Sequence, residues 1–217
     1  MLHLLLARHG ETIWNAQQQF QGHSDVPLSP TGRVQAAALA ETLRSRSIDA
    51  VYSSDLRRAI ETAEIVLSGR GLAIQQTPAW RELSFGQWEG LTYDEVRHAY
   101  PTELQAWLAD RLHAAPPGGE SLAQLNSRLE AILGQLVQDH IDQTVLVVAH
   151  GGPLQLLLAT TLGLPPDEFW KFRVTHGSLS ELDLYPAGAI LARLNYVAAA
   201  NEHAIPDRAR RSASWAD

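Results

Sequence analysis

Thr144-Val145-Leu146-Val147-Val148-Ala149, followed by His150-Gly151-Gly152-Pro153, is the stretch that decides the fold. Six residues of almost unbroken apolar character suit a strand buried on both faces. The Gly-Gly-Pro that follows opens a helix, with Pro153 at a favoured first-turn position. Leu2 to Ala7 repeats the pattern and ends on Arg8-His9-Gly10. Ile48 to Tyr52 and Leu72 to Gln76 read as two further strands.

Helical patterns lie between these strands. Ser29-Pro30 reads as an N-cap with proline at the first helical position. Ala36, Ala37, Leu39, Ala40 and Leu43 then fit a helix ending near Arg46, and Asp55 to Leu67 reads as another. Ser121 and Gln124 form a capping-box pair ahead of Leu122, Leu125, Leu129, Ile132, Leu133, Leu136 and Val137, an amphipathic series at spacings of three and four. Gly10 to Pro27 reads as loop. Ser178 to Tyr185 and Ala189 to Val197 predict an antiparallel hairpin turning at Pro186-Ala187-Gly188. Strands alternating with helices predict a three-layer α/β/α fold around a mostly parallel sheet.

Residues 80 to 120 differ in character. Trp80, Trp88 and Trp107 fall there, with Pro101, Pro116, Pro117, Gly118 and Gly119. The stretch reads as a small lid insertion with short helices. Residues 1–200 then form a single domain, and the polar 201–217, with Arg208, Arg210 and Arg211, reads as a flexible tail.

Composition narrows the function. With 45% hydrophobic and 19% charged residues among 217, a sizeable core can form. A formal net charge of −7 argues against nucleic acid as a partner, because the phosphate backbone demands a basic surface. The absence of cysteine excludes disulfides and thiolate chemistry. No apolar run approaches the roughly 20 residues of a membrane span, and Met1 to Ala7 lacks a basic leader. The expectation is therefore a cytoplasmic protein with no membrane partner. The oligomeric state is left open, an edge strand or the insertion being able to pair two copies.

In open α/β sheets, ligands bind beyond the carboxyl ends of the strands. Inspecting those positions finds Arg8 and His9, then Ser53 and Ser54 with Arg57 and Arg58 one turn on, then His150. Glycine after each histidine is expected to let a ligand approach the backbone. Two imidazoles beside clustered guanidiniums favour an anion, and guanidinium forks match phosphate oxygens. Imidazole can attack phosphorus to form a covalent intermediate. A carboxylic acid must then protonate the leaving oxygen, and Glu82 is the candidate. Simpler readings exist for each residue taken alone. Arg58 could pair with Glu61 three residues on, Glu82 could pair with Arg81 or Arg58, and Asn15 and Gln21 could serve loop turns. Arg57 reads as a solvated helix charge, Trp14 as packing. His3, His23, His98, His113, His140, His176 and His203 read as structural or surface.

Ala7-Arg8-His9-Gly10-Glu11-Thr12 with Trp14 and Asn15 resembles the RHG signature of the histidine phosphatase, or phosphoglycerate mutase-like, superfamily. Four further blocks match in order: Phe20-Gln21-Gly22 with Leu28 to Gly32; Tyr52 to Leu56 with Arg58-Ala59 and Glu61-Thr62-Ala63; Glu82-Leu83 with Phe85-Gly86 and Trp88-Glu89-Gly90; and Val148 to Gly151. Together they cover roughly residues 2 to 155, and the family fold would run to about residue 198. The resemblance implies that His9 is the phosphorylated nucleophile. It implies that Arg8, Arg58 and His150 bind phosphoryl oxygens and that Glu82 is the proton donor. Asn15, Gln21 and Gly22 would line the substrate side, with a backbone N–H from Gly151. No metal or organic cofactor is needed in that scheme.

Family mutases usually carry a longer, more basic insertion after the catalytic glutamate. Here Tyr93 to Glu120 holds only Arg97 and Arg111 as fixed cations. The Phe85-Gly86-Gln87-Trp88-Glu89-Gly90 and Pro117-Gly118-Gly119-Glu120-Ser121 runs are similar to the branch that contains α-ribazole-5′-phosphate phosphatases and broad-specificity phosphatases. The expectation is a metal-independent phosphomonoester hydrolase for a small phosphorylated metabolite, α-ribazole 5′-phosphate foremost. A phosphoglycerate mutase and a non-catalytic phosphate-binding module are the alternatives.

Overall fold

In the first strand, β1 (Leu2–Arg8), Leu4, Leu5, Leu6 and Ala7 are all fully buried, and the alternation of a strand assigns them to two cores. Leu4 and Leu6 join one apolar cluster, Leu5 and Ala7 the other. β4 (Thr144–Ala149) does the same, with Val145 and Val147 on one side and Leu146 and Val148 on the other. Both runs lack polar alternation because neither face meets water. The structure is a computed structural model that describes residues 1–198, so the 201–217 tail lies outside the described residues.

The sheet order is β3-β2-β4-β1-β5-β6, with β2 at Ala50–Ser54, β3 at Ile74–Thr77, β5 at Leu179–Tyr185 and β6 at Gly188–Tyr196. β3, β2, β4 and β1 are parallel, whereas β5 runs antiparallel to β1 and β6 antiparallel to β5. Helices α2 (Pro30–Leu43) and α3 (Arg57–Val66) cover one face through Leu39, Leu43, Ala59, Ala63 and Val66. The longer α6 (Leu122–Asp139) and α7 (Gly151–Thr161) cover the other. Three layers result, around a mixed, mostly parallel sheet.

Caps explain several boundaries. The Ser29 hydroxyl accepts the Gly32 N–H, and Ser121 and Gln124 make the expected reciprocal pair. α2 stops at Leu43, short of Arg46, where the Arg70 guanidinium takes the carbonyls of Leu43, Arg44 and Arg46. α3 starts at Arg57 rather than Asp55. Asp55 is drawn away by a two-pronged bond from Arg81 at 2.7 and 2.6 Å, and Asp25 accepts the Arg57 N–H from across the site. The loop after β1 contains one helical turn, α1 (Ile13–Ala16), which the sequence reading misses. A capping box between Thr12 and Asn15 supports it.

The 80–120 stretch carries α4 (Tyr93–Ala99) and α5 (Pro101–Ala109). Its Trp80, Trp88, Val96, Leu104 and Trp107 belong to the same core as α6. Trp88 and Trp107 meet edge to face with ring centroids 5.6 Å apart, and Phe20 and Phe85 sit at 4.8 Å. The stretch is thereby anchored to the sheet. Among the described residues no helix is long and apolar enough to cross a membrane.

Candidate active site

β1 and β4 are parallel and in register from His3 with Thr144 to Arg8 with Ala149, so their carboxyl ends finish together. Arg8 and His9 lie at one end and His150 at the other. The two imidazoles meet edge-on, centroids 5.0 Å apart. The first turn of α3 brings in Arg58, which is fully buried and hydrogen bonded to His150. Arg8, His9, Asn15, Gln21, Arg58 and Glu82 share one cavity of about 460 Å³, with Gly22 also on its wall. Stretches far apart in sequence thus converge on one cavity, with His150 buried behind it against His9 and Arg58.

Hydrogen bonds set the tautomers. His9 Nδ1 lies 2.6 Å from the carbonyl oxygen of Gly10, which only accepts. Nδ1 therefore carries the proton, and Nε2 keeps a free lone pair in the neutral ring. Arg58 Nε, which only donates, binds His150 Nδ1 at 3.2 Å. His150 therefore holds its proton on Nε2, a buried atom with no protein partner. Arg58 Nη2 reaches Gly22 O at 2.7 Å and Nη1 reaches Ser24 O at 2.8 Å, and each Nη keeps a second N–H. Arg8 is anchored by one bond, Nη1 to Val174 O at 2.6 Å.

Glu82 faces this group from the 80–120 stretch. Its carboxylate accepts the Gly152 N–H, at 3.0 Å to Oε1, and its own neighbour Leu83 N–H at 2.9 Å. Its main-chain carbonyl is gripped by Arg128 of α6 and by His23 Nε2, both at 2.9 Å. Arg128 also forks onto Glu120 at 2.9 and 3.0 Å. The competing pairings are not formed: Arg81 belongs to Asp55, and Glu61 pairs with the exposed Arg57 and with Arg33 rather than with Arg58. The Thr12 hydroxyl ties Asn15 and Gln21 together on the cavity wall.

The glycines serve a different purpose from the one expected. A Cβ on Gly10 would stand 2.2 Å from the carbonyl oxygen of Gly32, and one on Gly151 3.2 Å from the Arg8 guanidinium carbon. The protein's own backbone and Arg8, not a ligand, occupy the space. At Gly152 a Cβ would meet Glu82 Oε1 at 2.3 Å, so glycine there lets the carboxylate dock.

His176 lies on the cavity wall, 5.7 Å between ring centroids from His9. Sequence reading placed it among structural or surface histidines. The search rule inspected residues after strands, but β5 is antiparallel to β1 and delivers the residues before it to the same edge. The hairpin itself was the signal that could have found it, since one of two mutually antiparallel strands must run against a parallel sheet. His23 and Arg128, which position Glu82, carried no local motif.

A second cavity of about 850 Å³ shares Arg8, Glu82 and Phe85 with the first. Leu122, Leu125, Phe169 and Phe172 give it apolar walls, and Lys171 and Arg173 add cations. The insertion's own cations are elsewhere, Arg97 on Asp94 at 3.1 Å and Arg111 over the Trp107 ring. Beyond Arg8, the cations on the wall of the second cavity thus come from the segment before β5. Among the described residues no cluster of three metal-ligating side chains occurs.

Burial dominates the electrostatics. His9, His150 and His176 are all held well below the usual histidine range by desolvation first, then by Arg58 and Arg8 in differing order. Arg58 is lowered to about 10 and Arg8 is lowered too, by the same burial, yet both stay cationic at neutral pH. The result is a neutral nucleophile between two cations. It has a stability consequence. Below the unfolded-state value near 6.5, the unfolded chain binds protons that the folded one refuses, so stability falls as pH drops. Above 6.5 both states are neutral and the effect vanishes. The urea midpoint is expected to fall between pH 7 and pH 5, by up to about 1.4 kcal/mol per pH unit for each histidine. A flat midpoint over that window would show the three rings to be solvated.

Comparison with known proteins fits this geometry. The family model for the histidine phosphatase superfamily (branch 1) matches residues 4–197. An adenosylcobalamin/alpha-ribazole phosphatase of Escherichia coli is 37% identical over 94% of this chain and 100% of its own length. A probable phosphoglycerate mutase of Yersinia enterocolitica is 38% identical over 84% of this chain and 85% of its own. The crystal structure of the alpha-ribazole phosphatase from Shigella flexneri superposes with a TM-score of 0.85 at 36% identity, covering 89% of this chain and 96% of that one.

Proposed function

The chain belongs to the histidine phosphatase superfamily and is a phosphatase, and we propose that it hydrolyses a small phosphomonoester through a phosphohistidine formed on His9. The observation that carries this is the His9 tautomer. A lone pair on Nε2 of a neutral ring, flanked by Arg8 and Arg58, is the arrangement an in-line attack on phosphorus requires. His9 Nε2 forms the N–P bond as the ester P–O bond breaks. Glu82 gives its proton to the leaving oxygen, which departs as an alcohol. Water then attacks the phosphohistidine, Glu82 takes a proton back, and inorganic phosphate leaves with His9 restored. Arg8, Arg58 and His150 hold the phosphoryl oxygens throughout. Asn15, Gln21, Gly22 and the Gly151 backbone bound the substrate side. The scheme uses these side chains alone, with no metal or organic cofactor.

The leading substrate is α-ribazole 5′-phosphate. The relatives bearing that activity support it, as do the apolar side chains on the wall of the second cavity, Leu122, Leu125, Phe169 and Phe172, which suit a bulky leaving group. A phosphate-release screen across α-ribazole phosphate, phosphoserine, sugar phosphates and phosphoglycerates tests this. Preference for α-ribazole phosphate is the expected result, and a stronger preference for phosphoserine or phosphoglycerate would displace it. Arg173 on the wall of the second cavity favours a second reading, a mutase acting on a doubly charged substrate, although Lys171 beside it is paired with Glu168. That reading predicts isomerisation of 3- to 2-phosphoglycerate outpacing phosphate release once a bisphosphate primer is added. A non-catalytic phosphate-binding module would bind esters without turnover. The reading also places the enzyme in the cytoplasm, which cell fractionation checks.

Glu82→Gln keeps the shape of the side chain and removes its proton. Phosphate release from an alkyl ester is expected to fall by about 10²–10⁴-fold. The loss should be far smaller for p-nitrophenyl phosphate, whose leaving group needs little protonation. Equal losses on both substrates would refute the acid role.

A further inference from the structure

His176 takes no part in the scheme above, yet it is built into the site. The turn before β5 is tied to the strand end that carries the nucleophile, for Gly177 N–H lies 3.1 Å from both Arg8 O and His9 O. This holds the His176 ring on the cavity wall beside His9. Its Nε2 is buried and has no partner in the protein.

Two more nitrogens of the same cage are in that condition, Arg8 Nε and His150 Nε2. Both are N–H donors, the first by the nature of guanidinium, the second because Arg58 occupies Nδ1. A buried donor left unpaired loses its hydration without compensation. These two donors and the unpartnered His176 Nε2, all buried in the cage of His9, are therefore arranged for something the protein itself does not supply. A phosphoryl group in transfer has three nonbridging oxygens, all of them acceptors. We propose that His176 is a further ligand of the transferred phosphoryl group, giving its Nε2–H to a nonbridging oxygen alongside Arg8 and His150.

The proposal rests on the phosphatase reading, so the test separates the two. The full-length protein and its His176→Phe and His176→Gln variants are compared by inhibition with orthovanadate, which mimics five-coordinate phosphorus, and by rapid-quench formation of phosphohistidine from p-nitrophenyl phosphate. Phenylalanine keeps the ring and its packing but has no donor; glutamine restores an N–H without the ring. The expected result is a loss of about 10²-fold in His176→Phe in both measurements, the scale for one missing oxyanion donor, with at least tenfold recovered in His176→Gln. Vanadate inhibition of His176→Phe equal to wild type overturns the proposal, as does an equal loss in both variants, which marks a purely structural ring. Wild-type protein that neither forms phosphohistidine nor binds vanadate would instead overturn the phosphatase reading.

Discussion

His9→Ala is expected to abolish turnover, lowering phosphate release by about 10⁴–10⁶-fold, as removal of a nucleophile does elsewhere. The nearest imidazole does not replace the lost lone pair. His150 stands closest, but Arg58 donates to its Nδ1 and its Nε2 holds the proton, so neither nitrogen can attack. Because burial and the two arginines keep His9 uncharged, the substitution removes no positive charge from the pocket. The variant should therefore still bind phosphate esters with near wild-type affinity while forming no acid-labile phosphohistidine in a rapid quench. Retention of more than about one part in a hundred of wild-type phosphate release would move the nucleophile to another residue.

Much of this was legible in the sequence, and the reason is physical. Strands buried on both faces write themselves as unbroken apolar runs, so β1 and β4, and with them the sheet edge, could be read directly. Residues following those strands needed no tertiary information, which is why Arg8, His9 and His150 were found. Arg58 and Glu82 were candidates on the same grounds, but preferring them to Arg57 and to the simpler ion pairs took the resemblance to a family, because the contacts that bring them in span 92 residues from Arg58 to His150 and 70 from Glu82 to Gly152. What stayed hidden depended on strand direction or on remote partners. His176 arrives from the antiparallel side, where the rule about carboxyl ends points the wrong way. Arg128 lies mid-helix, and only folding sets it against Ala79 O and Glu82 O. Lys171 and Arg173, on the wall of the second cavity, lie outside the insertion that a mutase-like grip would use.

Arg58→Ala is expected to damage both stability and catalysis, and the two losses have separate causes. Arg58 is fully buried and donates to Gly22 O, Ser24 O and His150 Nδ1. Truncation leaves acceptors stranded, at about 1–3 kcal/mol for each that water cannot reach. The loop 22–24 also loses its tie to α3, although Glu89 still holds it through His23 N–H at 2.9 Å and the Ser24 hydroxyl at 2.7 Å. A urea midpoint lowered by the equivalent of about 3 kcal/mol is the expected structural part. The catalytic part comes from the missing cation and the released tautomer. An arginine stabilising phosphoryl transfer is worth about 10³–10⁵-fold, and kcat/KM of the folded variant should fall on that scale. Without the Arg58 donor, His150 can also move its proton to Nδ1 and lose the Nε2–H aimed at phosphate. Its titration should shift upward, since the Arg58 charge is among the causes that depress it. Arg58→Lys separates the contributions. An ammonium keeps the charge but cannot span three acceptors in a fixed fork, so charge-dependent binding of phosphate should recover further than turnover. A variant that is less stable but turns over normally would reduce Arg58 to a structural residue and leave Arg8 as the only guanidinium at the phosphoryl group.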